Sequence, residues 1–282
     1  MYHVDNGLAT LDPGSIAILR TLERGILGWA QGCNAPEYAY PVLMKVNDLS
    51  RIDYFQNFPH LAVVATGIKD DVLAPEYATS GALETVPTAH MKDAGYVIPS
   101  AACYNIYFNL QNTVQPEPVY VTTVARCCRN EAEYVGLERL WAFQMREIVC
   151  VGDKDATQAH LKAFRARLEA FAAKLGLPLA IQTATDPFFD RNSSRAKMQT
   201  LFPVKEEFVY GGKVAIASVN YHRNFFGERC GIRDAAGEFC HSSCVAFGLE
   251  RWLHALTDHF GPDSELICAQ LERAFSAQPV AV

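Results

Sequence analysis

The residues best suited to chemistry in this 282-residue chain gather in one stretch, Val124–Val151, VARCCRNEAEYVGLERLWAFQMREIVCV. It reads as two strands joined by a polar connection. Side chains of a strand repeat every two residues, so Cys127, Arg129 and Glu131 fall on one face of the first. The second, from Trp141, sets Phe143, Met145, Glu147 and Val149 together. An arginine and two carboxylates occupy faces that an ordinary sheet fills with Val and Ile. Residues four apart on a strand lie roughly 13 Å apart, a span over which a nucleotide and a small acid can be laid end to end. The same residues also fit a salt-bridged, half-exposed sheet face. Neither a Walker A loop nor GxGxxG occurs, so a nucleotide here must be held by other means.

The surrounding sequence predicts the elements that position these residues. Asp12 as N-cap and Pro13 at the first turn open a helix that Gly32 follows, with Ile16, Leu19, Leu22, Ile26 and Trp29 as its buried stripe. Strands are expected at Val42–Val46 and Leu61–Thr66, with a helix-like Asp48–Tyr54 between them; residues 68–95 read as loop with one short helix. Tyr104–Leu110 and Pro118–Ala125 read as strands, and Asp155–Leu175 as an amphipathic helix stopped by Gly176 and Pro178. Arg191–Leu201 predicts a short basic helix carrying Arg195 and Lys197. Glu206–Tyr210 and Lys213–Asn220 form a hairpin about Gly211-Gly212. Ser242–Phe247 is a last strand running into the helix of Leu249, Trp252, Leu253 and Leu256, and a final helix covers Ser264–Phe275. Consecutive antiparallel runs with inserted helices point to an α+β fold in one domain over residues 1–282.

Half of the residues are hydrophobic and the formal net charge is −6, with Lys and Arg scattered. That argues against a protein built mainly to grip nucleic acid. The start, MYHVDNGLATLDPG, has neither a charged n-region nor an apolar h-region, and no apolar run approaches the roughly 20 residues that span a bilayer. Nine cysteines, none in a CxxC pair, suggest no disulfide framework, which places the chain in a reducing cytoplasm.

Three strings carry a resemblance. Arg129-x-Glu131, a short connection and Phe143-x-x-x-Glu147 resemble motif 2 of the class II aminoacyl-tRNA synthetases; FGLERW, Phe247–Trp252, resembles motif 3; and YFQNFPHLAVVAT, read as a long strand around Pro59, resembles motif 1, the dimer element. Within that class the chain is most similar to zinc-dependent archaeal seryl-tRNA synthetase and its truncated bacterial homologues, the amino acid:[carrier protein] ligases. The resemblance implies a class II antiparallel sheet flanked by helices. It also implies activation of glycine, alanine or serine by ATP and transfer to the phosphopantetheine thiol of a carrier protein. A tRNA synthetase and a non-catalytic paralogue are the alternatives; tRNA is disfavoured because little chain precedes motif 1 and the motif 2 connection is short.

The resemblance assigns roles residue by residue. Arg129 meets the α-phosphate, Glu131 and Phe143 hold the adenine, and Arg251 covers its other face and reaches the γ-phosphate. Cys103, Glu147 and Cys244 match the positions that hold zinc, which binds the substrate amine. A rival cluster is Cys240 and His241 with Cys244. Ser218 and Asn220 persist as polar substrate-side groups, whereas Ala215 stands where a Mg²⁺-binding glutamate is expected, with Glu207 as one substitute. Arg191, Arg195 and Lys197 are candidates to dock an acidic carrier protein. A homodimer follows from motif 1.

Overall fold

The alternating runs of the middle and late chain join into one sheet in this computed structural model, which describes residues 2–72, 77–78 and 81–276. The order begins with β1 (Tyr2–Asp5), β2 (Leu8–Leu11), α1 (Pro13–Gly32), β3 (Met44–Lys45), α2 (Val46–Arg51), α3 (Tyr54–Asn57), β4 (Val63–Ala65) and α4 (Asp70–Val72). It continues through β5 (Tyr96–Ile98), α5 (Tyr104–Asn109), β6 (Val114–Gln115), β7 (Val119–Cys128), β8 (Ala142–Gly152), α6 (Lys154–Leu175) and β9 (Leu179–Thr183). The remainder is α7 (Ser194–Leu201), β10 (Lys205–Tyr210), β11 (Val214–Arg223), α8 (Phe225–Cys230), β12 (Arg233–Asp234), β13 (His241–Gly248), α9 (Leu249–Phe260) and α10 (Ser264–Ser276). Six strands form the main sheet in the order β7-β8-β13-β11-β10-β9, every neighbour antiparallel. The expected α+β class is what the chain adopts.

One face of this sheet is the floor of the main core. Helices α1, α6, α9 and α10 cover it, with Ile18, Leu22, Phe164, Trp252 and Leu271 buried against Phe208, Val245 and Phe247. The N-cap read from sequence at Asp12 operates here, and Asp153 supplies a second one. Asp12 accepts a hydrogen bond from Ser15 N at 2.8 Å, and Asp153 from Ala156 N at 2.7 Å, so both long helices start on a carboxylate cap. Gly176 ends α6 at φ +66°, a left-handed position that suits glycine.

Several sequence expectations give way to tertiary context. Tyr104–Leu110 is helix α5, not a strand: Ile106, Tyr107 and Phe108 are all buried, and a short apolar run has no period that tells helix from strand. The long strand expected around Pro59 shrinks to the three residues of β4, because Pro59 opens a 3-10 turn. The helix expected over Asp48–Tyr54 breaks at Asp53, which is left-handed at φ +57°. The basic helix begins at Ser194, so Arg191 lies before it. Hairpin β1–β2 went unread, although its Asn6-Gly7 turn is a hairpin signature. A Cβ at Gly7 would lie 2.6 Å from the Tyr134 ring, and Gly7 O accepts from Trp141 N at 2.9 Å. The hairpin thereby buttresses the connection between β7 and β8.

Candidate active site

Register places the site on the opposite face of the sheet. Glu147, Ala246, Ser218 and Glu207 are successive cross-strand partners, and so are Val149, Cys244, Asn220 and Lys205 one row over. Residues two apart on each strand share a face, so the two rows form one floor. Small Ala246 between Glu147 and Ser218 leaves room above it.

At the β8–β13 end, the ligand atoms of Cys103, Glu147 and Cys244 lie within 4.8 Å of one another, and all three residues are buried. Cys103 is brought there by the turn that starts α5. That turn also aims two N–H groups at Glu147: Ala102 N and Cys103 N donate to Oε1 at 2.9 and 3.2 Å. The other oxygen, Oε2, is buried without a hydrogen-bond partner. Burial of an unpaired carboxylate oxygen is costly unless a cation or donor meets it. Crowding acts on the thiols in the same sense. Cys103 is pushed well above the ordinary thiol range by its hydrogen bond with Cys244, by burial and by the Glu147 charge. Cys244 is raised as well: its hydrogen bond with Cys103 lowers it, but burial and Glu147 outweigh that. A shared cation lets all three ionise together. Two thiolates and one carboxylate oxygen suit zinc, with a fourth position left for a ligand.

Cys244 has further company. Asn220 Nδ2 lies 3.3 Å from its Sγ and 3.0 Å from Ser218 Oγ. His222 Nε2 lies 3.7 Å away, while its Nδ1 faces Tyr107 OH at 3.2 Å and Ser242 Oγ at 3.1 Å. Burial lowers His222 to about 4, Asp186 opposing and Lys205 assisting, so the ring is neutral near pH 7. The rival cluster does not assemble among the described residues: His241 Nδ1 is taken by Tyr221 OH at 2.6 Å.

Two adjoining cavities open on this floor. The larger, about 370 Å³, holds Cys103, Glu147, Cys244, Asn220 and His222, with Arg195, Met198, Gln199 and Phe202 on its rim. The smaller, about 90 Å³, is lined by Glu131, Phe143, Glu207, Glu250 and Arg251. Arg129, Met145, Lys205, Ser218 and Ala246 line both. Arg129 stands just beyond β7, yet its N–H still donates to Trp141 O at 2.9 Å and so continues the pairing. Its Nε donates to Ser100 O at 3.1 Å and its guanidinium lies 5.1 Å from the Phe143 ring centroid. Arg251 donates from Nε to Glu138 O at 2.7 Å and from Nη1 to Ala215 O at 3.0 Å. Glu131 faces Arg139 at 3.5 Å. Glu250 accepts from Gln144 N at 2.8 Å, and burial raises its carboxyl.

The docking candidates divide. Arg195 is built into the rim, 3.3 Å from Asp53 and 4.5 Å from the Phe225 ring centroid. Arg191 and Lys197 are exposed, and so are the apolar neighbours Phe189, Met198, Leu201 and Phe202. Lys205 and Asp186 escaped sequence reasoning. Burial raises the Asp186 carboxyl, but Lys205 beside it and the Gln199 amide outweigh that and hold it below the ordinary value. A charged residue opening a strand after Pro203 was the available signal for Lys205.

No family model matches the chain. Amino acid–[acyl-carrier-protein] ligase 2 of Bradyrhizobium diazoefficiens is 32% identical over 248 residues, 83% of this chain and 72% of that protein. Ligase 1 of the same organism is 30% identical over 257 residues, 85% and 76% respectively. Among solved structures, M. kandleri SerRS in complex with A. aeolicus tRNASec superposes with a TM-score of 0.81 at 19% identity. That alignment covers 98% of this chain and 59% of the synthetase, and it shows a shared class II synthetase fold.

Proposed function

The chain belongs to the amino acid–[acyl-carrier-protein] ligases, and on that footing we propose how it activates an amino acid with ATP and passes it to a carrier protein. The observation that carries the reading is the closed Cys103–Glu147–Cys244 cluster with its unpartnered Oε2, one cavity away from Arg251 and sharing Arg129 with it. Zinc held by these three residues supplies a Lewis-acid grip on the substrate's neutral α-amine.

This chain's own groups then set the geometry. The amine lies at the Cys103 end, so the carboxylate extends along the floor toward Arg129 and Ser218. ATP, with its Mg²⁺, lies over the smaller cavity, its adenine against Phe143 and Glu131 and its phosphates between Arg129 and Arg251. A guanidinium meets phosphoryl oxygens with two donors, and Arg129 is oriented for this by Ser100 O. Carboxylate and α-phosphate are held together, which is where most of the acceleration of a phosphoryl-type transfer arises. No protein nucleophile is required. The pantetheine thiol enters over the rim and displaces AMP from the aminoacyl-adenylate. An amine-binding cluster closed on one side by Tyr107 and His222 fits glycine, alanine or serine.

The carrier docks at α7 and the turn before it, where Arg191 and Lys197 offer charge and Arg195 ties the rim to Asp53. The active species is a two-fold dimer that covers the exposed Val64 and Tyr96 of the small sheet β3-β5-β4 and Val42 just before it. A reducing cytoplasm matches nine free cysteines; among the described residues no helix is long and apolar enough to cross a membrane.

Incubation with ATP, labelled glycine, alanine or serine, and either holo carrier protein or tRNA tests the reading. Label on the carrier thiol is expected. Label on tRNA alone makes the chain a synthetase, and no pyrophosphate exchange with any amino acid makes it non-catalytic.

A further inference from the structure

Lys205 is one of the residues that line both cavities. Its side chain is only 15% exposed, and Nζ lies 3.1 Å from Glu207 and 3.4 Å from Asp186. Both carboxylates are themselves placed by structure. Glu207 sits opposite Ser218 in the β10–β11 register. Asp186 takes a hydrogen bond from Gln199 Nε2 at 2.9 Å and gives its own N–H to Gln199 Oε1 at 2.9 Å. A surface ion pair has no such enclosure and contributes little. Here an ammonium is turned inward, over the boundary that a substrate carboxylate must cross to reach the α-phosphate. On the same wall Ala215 offers only its carbonyl, which Arg251 already occupies, and Glu207 is matched by Lys205.

We propose that Lys205 is a catalytic residue of adenylate formation, donating a hydrogen bond to a non-bridging oxygen of the ATP α-phosphate beside Arg129. The assignment rests on the ligase reading above. In this step an oxygen of the amino acid carboxylate bonds to the α-phosphorus. The bond from that phosphorus to the pyrophosphate oxygen breaks, and its electron pair leaves with pyrophosphate. Lys205 keeps its proton throughout and exchanges a protein carboxylate for the phosphate oxygen. Charge spreads over those oxygens in the transition state, and a compact ammonium held in place meets it without reorganisation. Asp186 and Glu207 act as positioning residues that keep Nζ between the cavities.

The test compares Lys205→Met and Lys205→Arg in the full-length protein by ATP–pyrophosphate exchange, with zinc content and Tm measured alongside. Removal of one preorganised donor costs about 10²–10³ in kcat. Lys205→Met is expected to lose at least about 100-fold in kcat while KM for the amino acid and zinc per chain stay within about threefold, and Lys205→Arg is expected to recover most of the loss. Exchange by Lys205→Met within about threefold of wild type overturns the assignment. So does equal loss in both variants with a lowered Tm, which makes the lysine a structural ion pair. A wild-type protein that exchanges with no amino acid overturns the ligase reading instead.

Discussion

Arg146 and Glu147 are neighbours on β8, each about 1% exposed, and they point to opposite faces of the sheet. Arg146 enters the helix side and is fully engaged: Glu23 at 2.6 Å, Glu37 at 2.5 Å and Thr122 Oγ1 at 3.2 Å. Glu147 enters the cavity side, where one oxygen is held by two backbone N–H groups and the other has no partner. A buried charge that is matched within the fold secures the fold. A buried charge left open on one atom, beside two thiols, fits a cation, which is the role proposed for it. The contrast sets a charge matched within the fold beside the proposed site, across a single peptide bond.

The largest effect is expected where that open charge is removed. On the proposed zinc reading, Glu147→Gln and Cys103→Ser should each abolish bound zinc and lower pyrophosphate exchange by more than about 10³-fold, since the substrate amine would lose its anchor. Metal analysis and exchange kinetics check it, and full activity in zinc-free protein breaks the contrast. Thermal stability measured in chelator should be unchanged or higher for Glu147→Gln, because the substitution removes a buried carboxylate without its cation.

On the other face the balance reverses. Arg146→Met should destabilise by about 1–2 kcal/mol, because the half-buried Glu23 loses its charged hydrogen-bond partner. Glu37 is exposed and water meets its charge, so the cost stays below that of breaking a fully buried pair. Denaturant unfolding with zinc bound gives the number. If Arg146→Met is as stable as wild type but loses its metal, the division between the faces is wrong.

The two faces also differed in how far the sequence announced them. The helix face was legible because its signals are local: the cap at Asp12, the stop at Gly176, and apolar residues spaced three and four apart; the cap at Asp153 lies two residues ahead of the expected start at Asp155, and Gly32 is the last residue of α1. The residues proposed for the nucleotide could be named as well, since Arg129, Glu131, Phe143 and Arg251 sit in two short strings whose order resembles a known family. The proposed metal cluster could not be named from spacing. Cys103, Glu147 and Cys244 come from a turn and two strands far apart in the chain, and no spacing rule links them. Their grouping needed the resemblance first and the sheet register second. Lys205 and Asp186 became visible only once β10 was paired with β11 and α7 was in place. Helix α5 was misread for the same reason, its apolar run being shaped by packing on α8, where Tyr107 stacks on Phe226 at 3.8 Å.

A smaller effect is expected at the rim, where charge faces outward. Arg191→Glu with Lys197→Glu should leave pyrophosphate exchange within about twofold and raise the apparent KM for carrier protein about tenfold, with a wild-type rate that falls as salt rises. Arg195→Glu should instead impair both steps, since it puts a second carboxylate against Asp53. Steady-state transfer at two ionic strengths separates them. A double variant that charges its carrier normally places the dock elsewhere.

The smallest effect concerns His160, which sharpens the contrast because it leaves an orphan atom on the helix face. Its Nδ1 meets Ser243 Oγ at 2.9 Å, and Nε2 is buried without a partner among Phe164 and Tyr120. Burial lowers it to about 3, against an ordinary value of 6.5. An orphan nitrogen of a neutral ring is tolerable where an orphan carboxylate oxygen is not, so this one marks no site. It does predict a pH dependence with a definite sign. The folded pKa is depressed, so as pH falls below about 6.5 the unfolded chain gains a proton that the folded chain refuses. Stability therefore falls with pH through the window between about 6.5 and 3, by roughly 1 kcal/mol from pH 7 to 5.5. His160→Gln keeps a polar partner for Ser243 and cannot titrate, so its stability should lack this contribution over the same window. Denaturant unfolding of both proteins at pH 7 and 5.5 measures the difference, and identical slopes refute the assignment of a neutral, buried His160.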